Sequence, residues 1–82
     1  MDLVLLTETI IKKIVSDSDS VSVKEFESTD EDTIQIEVIV SSEDLGKVIG
    51  KNGRTISSIR TIVQASASLN GNRKVRVNVD SY

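Results

Sequence analysis

Between its two central apolar runs the chain reads Val48-Ile49-Gly50-Lys51-Asn52-Gly53-Arg54-Thr55-Ile56. Gly50 and Gly53 lack a Cβ, so both can take positive φ and both let another backbone come close. Lys51 and Arg54 place cations at the same spot, and Asn52 adds a neutral donor that does not repel an anion. Whatever approaches must tolerate those cations, and a polyanionic backbone fits. A helix ending at Gly50 and another opening after Gly53 would aim unpaired N–H groups and a positive dipole end at the ligand. Lys47 adds a cation one turn earlier. Val48, Ile49 and Ile56 supply apolar walls for a groove beside the loop. The chemistry on offer is phosphate recognition, with no bond made or broken.

Other chemistries fail on residue type or spacing. The chain contains no cysteine and no histidine. A thiolate metal site is therefore impossible, and the usual general base and commonest metal ligand are missing. Gly46 to Lys51 imitates a phosphate-binding nucleotide loop, yet only three residues separate its glycines where four are needed. Asn52 also stands where that loop requires Ser or Thr for magnesium. Asp17-Ser18-Asp19 lacks the glycine and the terminal glutamate of a calcium loop, with Ser22 and Ser28 at those places. Asp30-Glu31-Asp32 reads as a hydrated turn. No enzyme, metal or cofactor is expected.

Eighty-two residues make one small domain over residues 1–82. Such a chain buries only roughly 60–65% of its unfolded surface, so it gains from a partner. The net charge is −3. That sum hides a division, because residues 1–40 carry −7 and residues 41–82 carry +4. Local field steers a polyanion, and Lys47, Lys51, Arg54 and Arg60 surround the glycine loop. With one Phe and one Tyr, aromatic stacking platforms are lacking. Recognition must then combine an apolar groove with phosphate contacts. The N-terminus has no basic region of a signal peptide, and no apolar run reaches membrane-spanning length. The expectation is a soluble intracellular protein that does not enter a membrane.

The elements that must position the loop follow from periodicity. Leu3, Leu6, Thr7, Ile10, Ile11, Ile14 and Val15 recur at helical spacing, which predicts an amphipathic helix of about three turns. Ser16 to Ser20 ends it. Val21 to Glu27 reads as a strand whose alternation slips at Phe26, suggesting a bulge or a twist. Ser28 to Asp32 is a turn cluster. Ile34, Ile36, Val38 and Val40 alternate as the cleanest strand, with Ile39 interrupting its polar face, and the Ile36–Val40 stretch is expected as the sheet edge that completes the groove. Ser41 or Ser42 caps a short helix that stops at Gly50. Gly46 within it reads two ways, as close packing on the sheet or as room for a bound strand. The next helix presents Ile56, Ile59, Ile62, Val63, Ser66 and Leu69 inward, or partly to a dimer seam, and Asn70-Gly71-Asn72 terminates it. Val75, Val77 and Val79 form a last strand, with Lys74 and Arg76 outward. The fold class is α+β, ordered α-β-β-α-α-β, with helices on one face of a three-stranded sheet.

The Ile-Gly-x-x-Gly core resembles that of KH domains, whose glycine loop holds a short run of single-stranded nucleic acid. The element order is similar to the type II, prokaryotic KH topology. The whole chain resembles the small bacterial single-KH proteins of the KhpA type, through Leu3 to Val15, Asp44 to Thr55 and Ile59 to Val63. The resemblance implies RNA binding at Gly50, Lys51, Asn52 and Gly53. Lys47, Ile49, Arg54 and Ile56 complete the candidate set. It further implies a cytoplasmic RNA chaperone or post-transcriptional regulator, linked to cell division, cell shape and the envelope. Such proteins are homodimers and pair with a larger KH-containing partner. The alternative is a protein-interaction scaffold whose own RNA contacts are vestigial.

Overall fold

The computed structural model describes residues 2–27, 33–69, 71 and 74–82. Helix α1 (Leu3–Ile14) opens at Asp2, whose carboxylate accepts from the Val4 and Leu5 N–H groups at 3.0 and 3.2 Å, relieving two of the unpaired donors of the first turn. Leu3, Thr7 and Ile11 form its buried line. The Thr7 hydroxyl is buried without penalty because it donates to the Leu3 carbonyl at 2.7 Å. Leu6, Ile10, Ile14 and Val15 pack beside that line, as their spacing predicts.

Strands β1 (Ser22–Glu27), β2 (Thr33–Val40) and β3 (Lys74–Ser81) form one sheet in the order β1-β2-β3. The β1–β2 pair is antiparallel and the β2–β3 pair parallel. Helices α2 (Ser42–Ile49) and α3 (Arg54–Leu69) make the crossover between the parallel strands. The expected α-β-β-α-α-β order is therefore present. Ile36, Val38, Val40, Val48, Val63 and Ile11 are wholly inaccessible and form the centre of the core.

Two strand expectations are corrected. Pairing runs without a break from Ser22↔Ile39 to Glu27↔Ile34, so β1 carries no bulge. Phe26 keeps strict alternation; it lies on the outer sheet face with Ile39, where a lone aromatic remains exposed. Second, the Ile36–Val40 stretch is not an edge. β2 is the central strand, bonded on both sides, and Ile36, Val38 and Val40 on its inner face are wholly inaccessible. The strand that α2 adjoins is β3.

Along α3 the buried residues are Ile56, Ile59, Val63 and Ala67. Ile62 and Leu69, expected inward, are 48% and 88% exposed, and Ser66 is half-buried. Each residue advances about 100° round a helix, so Ile62 stands off to one side of Val63 and Leu69 faces away from Ala67. Ala67 takes the inward place because a small side chain lets the helix lie close. The turn expected at Ser28 to Asp32, and Asn70 and Asn72 of the expected helix terminator, fall outside the described residues. No helix is long and apolar enough to cross a membrane among the described residues.

Candidate nucleic-acid interface

Helix α2 stops where its C-cap, Gly50, turns to φ 77° and ψ 172°. Its N–H still reaches back to the Gly46 carbonyl at 2.8 Å. A single 3-10 turn over Lys51–Gly53 follows, closed by the Gly53 N–H on the Gly50 carbonyl at 3.1 Å. Within it Asn52 sits at φ 58°, ψ 25° and Gly53 at φ 75°. Three of four consecutive residues thus have positive φ. Asparagine is among the side chains that tolerate the left-handed region, so Asn52 fits the turn as well as offering an amide.

The two glycines carry different constraints. A Cβ on Gly53 would meet nothing within 4 Å, so only its φ demands glycine. A Cβ on Gly50 would collide with the Thr55 hydroxyl and lie 2.7 Å from Thr55 Cβ and 2.9 Å from its backbone N. Thr55 in the first turn of α3 therefore packs directly on the loop. The joint is tight on its inner side and open on its outer side.

Lys51, Asn52 and Arg54 are exposed around that outer side. Neither cationic side chain has a hydrogen bond or ion pair among the described residues. Ile49 is exposed beside them. Val48 and Ile56 are not available as groove walls: they are 0% and 6% accessible and belong to the core. The apolar lining next to the loop consequently falls to Ile49. Gly46 is exposed, and a Cβ there would meet nothing within 4 Å. Close packing on the sheet is thereby overturned, and the α2 surface leading away from the loop is smooth.

Lys47 belongs to a different corner. Its ammonium donates to Ser16 Oγ and stands 3.5 Å from Asp44 Oδ1. Asp44 is buried and accepts the Ser16 and Asp17 N–H groups, each at 3.0 Å, and the Ser41 hydroxyl at 3.0 Å. The two backbone donors from Ser16 and Asp17 are the largest causes holding its carboxyl at about 2, below the ordinary 3.8. Ser41 and the Lys47 charge add to this, against burial. Asp44 thus ties the end of α1 to the start of α2. The Ser41-x-x-Asp44 spacing is a helix-start signature, which could have flagged the position but not its reach to Ser16.

Arg60, expected around the glycine loop, is exposed, and its Nε donates to the Val77 carbonyl at 3.0 Å. One turn on, Gln64 Oε1 accepts the Val75 N–H at 2.9 Å. Together they cover part of the outer edge of β3, which would otherwise offer unpaired backbone groups. Lys74 and Arg76 are exposed, as their alternation predicts.

A helix–Gly-x-x-Gly–helix joint, mounted on a three-stranded sheet in α-β-β-α-α-β order, defines the KH fold. The chain superposes on Aquifex aeolicus Era bound to GDP·AlF4− with a TM-score of 0.60 at 22% identity, covering 99% of this chain and 31% of that one. Era in complex with MgGDPNP and a segment of 16S ribosomal RNA gives 0.59 at 23%, with the same coverage. The chain thus spans about a third of Era's length, and this likeness is one of fold. Residues 5–79 match the family described as KhpA/KhpB, KH domain, and the chain belongs to that family. It is 45% identical over 74 residues to the RNA-binding protein KhpA of Clostridium acetobutylicum, covering 90% of this chain and 95% of that protein. The Chlamydia caviae protein of the same name is 44% identical over 70 residues, covering 85% and 86%.

Proposed function

We propose that the protein is a non-catalytic RNA-binding module that holds about four nucleotides of single strand at the Gly50–Gly53 loop. The observation that carries this is the loop itself. Three positive-φ residues turn the backbone between two helices, and Lys51 and Arg54 stand on its open side with no partner among the described residues. Phosphates meet those cations and the first turn of α3, while bases lie over Ile49 and the smooth surface at Gly46. Lys47 joins only by leaving Ser16 and Asp44. Ile56 supports the loop from within the core. The naming of the relatives as RNA-binding proteins supports the same reading.

The test is a salt titration of binding to a labelled single strand. Phosphate contacts from Lys51 and Arg54 predict a log–log slope near −1.4, at roughly −0.7 per phosphate on a single strand. Arg54→Ala removes about 0.7 of it. A slope near zero, or tighter binding to a duplex of the same sequence, would overturn the proposal.

The exposed Ile62 and Leu69 on α3 favour a homodimer, or a complex with a larger KH-containing protein, through that face. In the cytoplasm such an assembly would act as an RNA chaperone or post-transcriptional regulator tied to cell division, cell shape and the envelope. A pure scaffold, with vestigial RNA contacts, would keep its partner after the loop is mutated and show no RNA binding.

A further inference from the structure

The exposed residues of α2 are Ser42, Glu43, Gly46, Lys47 and Ile49. Glu43, Gly46 and Gly50 fall three and four apart, so they lie one above another on a single stripe running from the loop toward the start of the helix. Exposed Lys47, four residues after Glu43 and three before Gly50, borders the stripe on one side, and Ile49, next to the loop, borders it on the other. One turn from the loop the stripe is bare at Gly46, where even a Cβ would touch nothing within 4 Å. It ends at Glu43. That carboxylate has no hydrogen-bond or ion-pair partner among the described residues, whereas the neighbouring Asp44 is fully engaged.

Glu43 lies about 10 Å along the helix from Gly50, seven residues at 1.5 Å each. Side chains lean toward the N-terminal end of a helix, so the carboxylate closes the far end of the stripe. A strand whose phosphates sit at Lys51 and Arg54 sends its bases along this surface. The last of them would meet a carboxylate, whose oxygens are acceptors.

We infer that Glu43 is a specificity-determining residue that reads a base edge, selecting a base with an exocyclic amine over uracil. The inference rests on the RNA-binding reading above. A carboxylate accepts from the cytosine N4 amine. Uracil presents a carbonyl oxygen at the same place, and two acceptors facing each other repel. Cytosine and uracil are alike in size and ring shape, so stacking and phosphate contacts do not distinguish them.

The experiment compares binding of equal-length labelled oligocytidine and oligouridine to the full chain at one salt concentration. Wild type should favour oligocytidine by at least about fivefold, the lower end of what a base-edge contact contributes. Glu43→Gln keeps the shape but can donate as well as accept, so it should bring the ratio close to one. The change also removes a negative charge and so strengthens both complexes. The ratio is therefore the diagnostic quantity. Equal binding of the two tracts by wild type, or a preference unchanged in Glu43→Gln, would overturn the inference while leaving the loop as the RNA site. Failure of wild type to bind either tract would overturn both.

Discussion

At φ 77° and ψ 172°, Gly50 occupies backbone space that belongs almost wholly to glycine, and Thr55 fills the room a side chain would need. Gly53 shares the positive φ, at 75°, but has open space where a side chain would go. Gly53→Ala should therefore cost the protein about 1–2 kcal/mol, the penalty of left-handed backbone for an L side chain. Gly50→Ala should cost roughly 1 kcal/mol more, because overpacking at Thr55 adds to it. Urea denaturation of both variants checks the order; equal losses would mean that Thr55 yields freely. The glycine pair and its cations were legible in the sequence because residue type alone limits what such a loop can do. The conformational role of Asn52 was hidden behind its polarity. The burial of Val48 and Ile56 was hidden by short-range pattern, since an apolar residue beside a loop reads equally as core or as groove wall.

Among the elements, the junction of α1 and α2 depends on one carboxylate. The Asp44 carboxyl titrates at about 2 in the folded chain against an ordinary 3.8. A depressed value means that its contribution to stability is complete above about pH 4 and is lost as pH falls toward 2. Asp44→Asn should lower the melting temperature at neutral pH and flatten the fall in stability between pH 4 and 2. Melting curves across that range would contradict the account if both proteins lost stability in parallel. Helix and strand order was readable because Leu3, Thr7 and Ile11 repeat at helical spacing, while Ile34, Ile36, Val38 and Val40 alternate. Sheet order was not. The alternation of β2 is the same whether the strand is central or at an edge, and only the parallel pairing with β3 places it in the middle. The bonds from Arg60 and Gln64 to β3 likewise depend on a crossover that periodicity does not describe.

At the scale of the whole molecule, charge is divided along one short helix. Glu43 and Asp44 lie at the start of α2 beside the linker carrying Asp17 and Asp19, and Lys51 and Arg54 follow its end. Eight residues span about 12 Å, longer than the Debye length of ~8 Å at physiological ionic strength. The acidic end is thus largely screened from the loop, and a net charge of −3 is compatible with anion binding there. A single site of about four nucleotides binds weakly, and joining two raises the effective concentration of the second. In the proposed dimer, Ile62→Lys, at a side chain 48% exposed, should separate the two copies while leaving the circular dichroism spectrum of wild type. It should weaken binding to a long RNA far more than to a short oligonucleotide. Equal losses on both would contradict a role for the assembly.

RNA binding in the proposed reading depends on the Gly50–Gly53 loop. Fluorescence anisotropy of a labelled single-stranded RNA tests it, comparing wild type with the double variant Lys51→Asp, Asn52→Asp. Asp tolerates the left-handed backbone of Asn52, so the variant should keep the circular dichroism spectrum and melting temperature of wild type. Its affinity should fall at least about tenfold, equivalent to about 1.4 kcal/mol. A folded variant that binds as tightly as wild type would place the RNA site elsewhere on the molecule.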